Sequence, residues 1–303
     1  MRAALIIPVR NAGPWLDRLL PALAAQTVRP DQWLVVDSSS SDDTVERFEA
    51  AGADVHVISA SEFNHGGTRE WARRQVAADV IFMLTQDAIL EPDCFERLLE
   101  AFENPEVAVA YARQLPRPGS GLFERHARLY NYGAESRLKS LADAAELGVK
   151  TCFSSDSCSA YRASVLEQLG GFPQDVIGSE DAYVAGKVLL AGHKVHYVAE
   201  ARVEHSHHYS ILEEFRRYFD IGVFYGRERW IDEHFGAATG EGRRFVSSEM
   251  KMALQDGQWY LLPSAFVRNG CKLIGYKLGR TEAYLPNWLK RRVGMFFGYW
   301  VKQ

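Results

Sequence analysis

Val80-Ile-Phe-Met-Leu-Thr-Gln-Asp87 is a short apolar run that follows Asp79 and ends abruptly on an amide and a carboxylate. Such a run is typical of a strand buried in a parallel sheet, with its last residue at the sheet edge. In open α/β sheets, ligands bind at that edge. The Asp87 carboxylate therefore suits a metal ligand for a substrate that carries phosphates, although a cap on the following turn explains the same pattern.

Strand and helix patterns alternate through the first hundred residues. Apolar runs at Ala3–Val9, Trp33–Asp37 and Asp54–Ser59 are each followed by a helical pattern, and further strands are predicted at Val107–Leu115 and Lys194–Val198. This alternation predicts a parallel, doubly wound sheet with right-handed crossovers. Residues 117–150 have no clean period and suit loops or short helices. A nucleotide site is then expected along the strand ends.

Composition narrows the class of protein. The chain has 303 residues, 47% of them hydrophobic and 24% charged, which is ordinary for a globular protein. A net charge of −4 argues against a general nucleic-acid binder. The four cysteines lack metal-type spacing, and the N-terminus is unlike a signal peptide. No apolar run approaches the roughly 20 residues that span a bilayer. These three observations predict a cytoplasmic protein.

Two other segments carry groups suited to chemistry. His205 and His207 occupy alternate positions of an extended segment, so they share a face and either one suits a metal ligand; packing is the competing explanation. Glu180 and Asp181 begin a predicted helix, whose dipole favours an ionised carboxylate. An ionised, positioned carboxylate can act as a general base, although helix capping explains the pair equally well.

The segment Phe63-Asn-His-Gly-Gly-Thr-Arg69 is richer than a linker requires. Its paired glycines let the backbone approach a ligand closely. Arg69 begins the next helix and is expected either to reach a diphosphate or to orient an acidic loop. A turn followed by an ordinary surface arginine is the alternative.

Seven short strings follow one another along most of the chain: Ile-Pro-Val-Arg-Asn, Val-Val-Asp-Ser, Gly-Gly-Thr-Arg, Thr-Gln-Asp-Ala, Ser-Ala-Tyr-Arg, Gly-Gly-Phe and Glu-Asp. Each is weakly specific, but their order resembles the family 2 inverting glycosyltransferases of GT-A fold. Phe63 to Arg69 and Thr85 to Ala88 look most like bacterial rhamnosyltransferases. The likeness continues in Tyr218-Phe-Asp-Ile-Gly-Val-Phe and in Gly275-Tyr-Lys-Leu-Gly.

The resemblance implies roles for particular residues. Asp181 would be the catalytic base, and Asp87 would bind a divalent metal, Mg²⁺ or Mn²⁺, as the charged member of a DXD-like motif. His205, 24 residues after Asp181, is preferred to His207 as the second ligand. The expected contacts to the nucleotide-sugar are Pro8, Arg10, Asp37, Ser38, Arg69, Gln86 and Asp87, and those to the sugar or acceptor are Asn64, His65, Asp156 and Glu180.

Two departures from the family pattern concern acidic residues. Asp37-Ser38 stands where two acids are usual, which puts base recognition by a second carboxylate in doubt. Thr85-Gln86 stands where the DXD motif often has an acid, so Asp87 is its only charged ligand. Both replacements resemble the rhamnosyltransferase-like members.

The resemblance implies a metal-dependent, inverting transferase that moves L-rhamnose from dTDP-β-L-rhamnose to a bacterial surface glycan. Another dTDP- or UDP-sugar is the alternative donor, and a metal phosphohydrolase or a non-catalytic nucleotide-sugar binder is the alternative class. The expected architecture is a mostly parallel, Rossmann-like α/β sheet flanked by helices. Residues 1–208 would form the catalytic domain, with a donor half at 1–115 and an acceptor half at 116–208, and residues 209–303 a helical extension.

The C-terminal segment is basic and aromatic. Residues 268–303 contain eight Lys or Arg residues and one acid, Glu282, for a net charge of +7, together with seven aromatic residues. This composition suits a helix lying in an anionic membrane surface. Packing of the aromatic residues on the catalytic domain is the alternative. We therefore expect the protein to attach through residues 286–303 to the inner face of the cytoplasmic membrane. A lipid-linked glycan acceptor would lie at that face.

Overall fold

The computed structural model describes residues 1–236 and 240–301 of the chain. Its first part alternates strand and helix as the sequence pattern predicted. The elements are β1 (Ala3–Val9), α1 (Gly13–Ala24), β2 (Gln32–Asp37), α2 (Thr44–Ala50), β3 (Asp54–Val57), α3 (His65–Gln75), β4 (Val80–Leu84), β5 (Ile89–Leu90), α4 (Cys94–Glu100) and β6 (Val107–Leu115).

The middle part is less regular. Residues 117–150 contain short helices and one short strand, as expected from their lack of a period. The strand predicted at Lys194–Val198 continues to Glu204, with an irregularity in its pairing with β6. The elements are α5 (Leu122–Asn131), β7 (Arg137–Lys139), α6 (Ala144–Leu147), β8 (Cys158–Arg162), α7 (Ala163–Gln168), α8 (Glu180–Leu190) and β9 (Lys194–Glu204).

The strands form one mixed sheet in the order β3-β2-β1-β4-β8-β6-β9-β5, with β7 beside β9. The first four strands are parallel, as predicted, whereas the short strand β5 was not predicted and pairs antiparallel with β9. Strand β8 departs from that pattern, because it lies between β4 and β6 and is antiparallel to both. Strands β6 and β9 are again parallel.

This topology brings distant segments to one edge of the sheet. Because β8 is antiparallel to β4, the start of β8 lies beside the end of β4, and Leu84 pairs with Cys158. Asp156, two residues before β8, therefore lies at the same edge of the sheet as Asp87. Strand β9 runs parallel to β6 and ends at Glu204, so His205 reaches the same edge.

Both faces of the sheet are buried. Along β1, Ile6 packs into one apolar cluster while Leu5, Ile7 and Val9 pack into the other. Successive strand residues point to opposite faces, and helices cover both, which explains why the strands read as continuous apolar runs. The core thus makes the sheet a rigid support for the loops at its edge.

A helical extension follows the sheet, as expected. It consists of α9 (Ile211–Arg227), α10 (Arg229–Phe235), α11 (Glu241–Gln255), α12 (Leu262–Arg280), α13 (Asn287–Val293) and α14 (Phe297–Val301). Within residues 1–236 and 240–301, no helix combines the length and the apolar character needed to cross a bilayer.

Candidate active site

An open cleft of about 1050 Å³ lies at the edge where β1 and β4 end and β8 begins. Its walls include eleven of the residues that the sequence singled out: Pro8, Arg10, Ser38, His65, Arg69, Gln86, Asp87, Asp156, Glu180, Asp181 and His205. The extension forms another wall, with Tyr218 on α9, Phe245 on α11 and Lys272 on α12. A cavity of this size accommodates a nucleotide-sugar together with part of an acceptor.

Asp87 lies against two histidines. The Nε2 atoms of His205 and His207 are 3.4 and 3.7 Å from its carboxylate oxygens, and the ligand atoms of all three residues lie within 4.8 Å of one another. Burial lowers the pKa of both imidazoles, that of His207 to about 3, so both are neutral at pH 7. Neutral imidazole is the form that binds metals. The preference for His205 over His207 stays a prediction, since the structure brings both to Asp87.

The surroundings orient this cluster. Gln114 Oε1 lies 2.9 Å from His205 Nδ1, so that nitrogen donates and Nε2 faces Asp87 with its lone pair. Arg128 donates to the same Gln114 oxygen, and the Gln114 amide donates to Ser155 at 2.7 Å. These contacts hold the imidazole in the tautomer that a metal ligand requires.

Sequence reasoning missed Arg117, which lies against Asp87. Its guanidinium donates to the Asp87 carbonyl oxygen at 2.5 Å and to a carboxylate oxygen at 3.1 Å, and it stacks on Trp15 with 4.2 Å to the ring centre. Burial opposes ionisation of Asp87, but its contacts with His205, His207 and the charged Arg117 hold its pKa well below the usual range. Arg117 belongs to the stretch without a clean period, so no pattern pointed to it.

A second cluster contains three acids and one cation. The Arg69 guanidinium is 3.1 Å from an oxygen of Asp156 and 2.9 Å from one of Glu180, and all three side chains are almost fully buried. Asp156 also accepts hydrogen bonds from Ser159 and Tyr161. Of the two roles that the sequence left open for Arg69, these contacts favour orienting an acidic loop, because its charge is already paired with carboxylates.

Asp181 completes this cluster at the start of α8. One of its oxygens accepts from the Asp156 backbone N–H at 3.3 Å and the other from Ala182 N–H at 2.7 Å. Ser179, two residues earlier and just before the helix, has a φ of 61°, a left-handed conformation that is costly for a non-glycine residue and often marks functional sites. The backbone therefore aims the carboxylate from a strained turn.

Burial and the neighbouring charges of Glu180 and Asp156 raise the pKa of Asp181 to about 8. The expectation that the helix dipole holds this carboxylate ionised is therefore wrong. The dipole contributes about 0.3–1 kcal/mol at a helix terminus, whereas a pKa change of one corresponds to about 1.36 kcal/mol. Burial beside two other acids outweighs it.

The residues expected at the nucleotide edge divide into two groups. Pro8, Arg10 and Ser38 line the cleft. The Gln86 amide instead braces the strand ends, because it accepts from the Arg10 backbone N–H at 2.7 Å and donates to the Arg10 carbonyl at 3.0 Å. Asp37 is 1% exposed, and its carboxylate accepts hydrogen bonds from the backbone and hydroxyl of Ser40.

Four residues were expected beside the sugar or acceptor, of which Asp156 and Glu180 pair with Arg69 while Asn64 and His65 have different positions. Asn64 caps α3 by accepting from Gly67 N–H at 2.7 Å, so its side chain is used within the loop. His65 lines the cleft and meets Phe296 edge-on, with ring centres 4.5 Å apart. Phe296 is not among the residues predicted for the cleft; the sequence leaves its segment either on a membrane surface or packed on the catalytic domain.

The terminal aromatics are divided between the interior and solvent. Trp300 is 1% exposed and packs near Phe219, whereas Trp288 and Phe297 are 66% and 63% exposed. Asp220 accepts hydrogen bonds from the backbone N–H groups of Met295 and Phe296 at 2.8 and 2.9 Å. These bonds fasten the segment to α9, and the Tyr299 hydroxyl donates to the Asp175 carbonyl oxygen of the catalytic domain at 2.8 Å. The segment therefore packs on the protein, as the alternative interpretation expects; residues 302 and 303 lie outside the described part.

The mixed sheet, the cleft at its edge and the Asp87 cluster define a protein of the GT-A fold. The mannosyltransferase PcManGT from Pyrobaculum calidifontis, solved with GDP-Man and Mn²⁺, matches it with a TM-score of 0.58 at 17% identity, over 99% of this chain and 85% of that chain. S. aureus TarS 1–349, solved with UDP, matches with a TM-score of 0.51 at 16% identity, over 93% and 91%.

The chain belongs to glycosyl transferase family 2, whose family model matches residues 4–170, and it is a glycosyltransferase. It is 44% identical to the O-antigen chain rhamnosyltransferase RfbN of Salmonella typhimurium, over 99% of this chain and 96% of that protein. It is 43% identical to the O-antigen chain rhamnosyltransferase WbaN of Salmonella anatum, over 98% and 95%. The fold and enzyme class predicted from the sequence are confirmed.

Proposed function

We propose that this enzyme transfers L-rhamnose from dTDP-β-L-rhamnose to a bacterial surface glycan of the O-antigen type, with inversion at the anomeric carbon. The relatives support the sugar and the acceptor class, because two O-antigen rhamnosyltransferases match nearly the whole chain at 44% and 43% identity. The single observation that carries the chemistry is that Asp87, His205, His207 and Asp181 line one cleft.

Asp181 is the proposed general base. An acceptor hydroxyl oxygen forms a bond to the anomeric carbon while the bond from that carbon to the diphosphate oxygen breaks, and Asp181 takes the hydroxyl proton. A pKa of about 8 suits this task, because a base whose pKa lies near the working pH combines a strong pull on the proton with a substantial ionised fraction. Arg69 holds Asp156 and Glu180 in place beside it.

Asp87, His205 and His207 are the proposed metal ligands. Their fit rests on donor chemistry, since one carboxylate and two neutral imidazoles converge within 4.8 Å. Imidazole nitrogens favour Mn²⁺ over Mg²⁺, which prefers oxygen ligands. When bound, a divalent cation offsets negative charge on the departing diphosphate.

Pro8, Arg10 and Ser38 are the proposed nucleoside contacts, and Asp37 is proposed to shape their loop. We infer that residues 1–208 carry the chemistry, with the donor half at 1–115 and the acceptor half at 116–208. Residues 209–303 then contribute to the acceptor side, because Tyr218 and Lys272 line the cleft. The proposed acceptor is a lipid-linked glycan at the cytoplasmic face of the membrane.

A donor screen tests this function. Purified enzyme with Mn²⁺ and a rhamnose- or hexose-terminated acceptor is offered dTDP-β-L-rhamnose, other dTDP-sugars or UDP-sugars, and products are identified by mass. Addition of one deoxyhexose from dTDP-β-L-rhamnose, absent in Asp181→Asn, is the expected result. Transfer only from another donor would overturn the choice of sugar, and release of dTDP without acceptor would instead indicate a phosphohydrolase. Donor binding without either reaction would indicate a nucleotide-sugar binder.

A further inference from the structure

Exposed apolar side chains are concentrated in one part of the chain. Of seventeen large hydrophobic residues that are exposed in the described part, eleven lie between residues 254 and 301. They are Leu254, Trp259, Tyr260, Phe266, Val267, Leu273, Ile274, Tyr284, Trp288, Phe297 and Val301. Scattered exposed apolar residues are normal, but a concentration of this kind marks an interaction surface.

Helix α12 carries the most regular part of this surface. Phe266, Val267, Leu273 and Ile274 are 73%, 50%, 55% and 60% exposed. Val267, Leu273 and Ile274 follow Phe266 by one, seven and eight residues, so all four lie on one face of the helix. The helix is about 28 Å long at 1.5 Å per residue. We refer to these four side chains as the α12 outer face. Trp259 and Tyr260, 67% and 62% exposed, precede the helix.

A glycine contact fixes which side of α12 faces outward. Gly275 and Gly279 on α12 pack against the α9 backbone at Phe215 and Phe219, and Gly222 and Gly226 on α9 pack against the α12 backbone at Tyr276 and Arg280. A Cβ atom at Gly279 would lie 2.0 Å from the Phe219 carbonyl oxygen. Because the two backbones are this close, α12 cannot rotate about its axis to bury its outer face. The apolar residues on that face are therefore held in solvent by the fold.

The charge around this face is one-sided. Residues 257–281 include no Asp or Glu but contain Arg268, Lys272, Lys277 and Arg280. Arg268 and Lys272 point inward to Glu214 and line the cleft, and Arg280 pairs with Asp232, whereas Lys277 is exposed. Arg291 and Arg292, on the helix that follows, are also exposed. The exposed residues of the segment 257–292 thus combine apolar and aromatic groups with the cations Lys277, Arg291 and Arg292, a combination that binds anionic lipid headgroups.

We propose that the α12 outer face rests on an anionic lipid bilayer. A second copy fits less well, because a two-fold interface places the same patch on both partners and would bring like charges together without acids to pair them. The proposal moves the main apolar contact from the terminal helices, where Trp300 is buried although Trp288 and Phe297 are exposed, to α12. The benefit of membrane contact rests on the proposed function. The opposite side of α12 lines the cleft, so contact of α12 with the bilayer would hold the cleft near a lipid-linked acceptor.

Vesicle sedimentation tests the proposal with the full-length protein. Wild type should bind vesicles that contain phosphatidylglycerol, bind less as salt rises, and bind weakly to pure phosphatidylcholine. The double variant Phe266→Ser/Ile274→Ser should lower the partition coefficient at least about tenfold, because both side chains lose their apolar contact with lipid. Wild-type recovery in the supernatant with both kinds of vesicle would overturn the proposal.

Two matched double variants locate the surface. Val57→Ser/Leu212→Ser removes side chains of similar exposure, 54% and 56%, from other places and should leave binding unchanged. Trp288→Ser/Phe297→Ser removes exposed aromatics of the terminal helices and should have a smaller effect than the α12 pair. A larger effect would return the contact to those helices and refute the assignment. Thermal unfolding verifies that each variant is folded.

Two further measurements separate the remaining outcomes. If light scattering shows a wild-type dimer that Phe266→Ser/Ile274→Ser converts to a monomer, while neither binds vesicles, the face serves a second copy and the proposal is wrong. Transfer to a water-soluble acceptor should be unchanged in this variant. Transfer without vesicle binding would overturn this inference alone, and vesicle binding without transfer would overturn the proposed function alone.

Discussion

Replacing Arg69 with Met tests whether the buried acid cluster depends on one cation. The guanidinium is 6% exposed and contacts both Asp156 and Glu180, at 3.1 and 2.9 Å. Removing one partner of a buried ion pair costs about 3–5 kcal/mol, because the remaining charges are buried without compensation. Methionine keeps an apolar stem of similar length, so most of the loss should be electrostatic. Arg69→Met should therefore lower the free energy of unfolding by about 3–5 kcal/mol at neutral pH.

The loss should depend on pH in a defined direction. Arg69 lowers the pKa values of Asp156, Glu180 and Asp181, so its removal raises all three in the folded state. A folded state that binds more protons than the unfolded state loses stability as pH rises from the unfolded pKa of about 4 through the raised values. The destabilisation should thus be larger at about pH 8 than at about pH 5.

Urea unfolding followed by tryptophan fluorescence at both pH values measures this effect. Arg74→Met is the matched control, because Arg74 lies on the same helix and pairs with Glu70 while its side chain is 62% exposed. Loss of an exposed cation costs at most about 1 kcal/mol, and the buried Glu70 keeps its two hydrogen bonds from Arg73. Equal losses in the two variants, or a loss in Arg69→Met that does not change with pH, would refute the electrostatic account of the cluster.

Three further changes test the cleft and the extension. Asp87→Asn should abolish most Mn²⁺-dependent binding of dTDP in calorimetry without unfolding the protein, and His205→Ala should weaken the binding less. If Asp87→Asn binds dTDP with unchanged affinity, Asp87 is not a metal ligand. Asp181→Asn should keep donor affinity but lower turnover by roughly 10²–10⁴-fold, and the variant should lack the increase in rate that wild type shows toward alkaline pH. Turnover equal to that of wild type would mean that Asp181 only caps the helix. Gly279→Ala should lower the free energy of unfolding in urea by about 1–3 kcal/mol, because the added carbon would lie 2.0 Å from a backbone oxygen. Gly270→Ala, on the same helix but facing open space, should be neutral or stabilising. Equal effects of the two variants would contradict the close packing of α9 on α12.

Several features of this protein follow from local sequence. Apolar runs such as Ala3–Val9 and Val80–Leu84 have few alternatives to a strand covered on both faces, so the parallel part of the sheet was predictable. A carboxylate at the end of such a run must lie at the sheet edge, which places Asp87. Glu180 and Asp181 begin a helix in the structure as in the prediction. Each of these conclusions depends on residues that are neighbours in the chain.

Other features depend on groups that only the folded chain brings together. The antiparallel insertion of β8 delivers Asp156 to Arg69, and the contact of Arg117 with Asp87 joins residues thirty positions apart. The raised pKa of Asp181 has the same origin, since burial and the charges of nearby acids depend on distances through space. No local pattern encodes those distances.

The C-terminal segment shows the same limit most clearly. Its composition indicated an amphipathic, basic and aromatic surface, but composition does not say which face of a helix meets the rest of the protein. That choice is made by packing, because the glycines of α9 and α12 bring two backbones into contact and Trp300 fills the interior. The apolar residues on the opposite side of α12 therefore stay exposed.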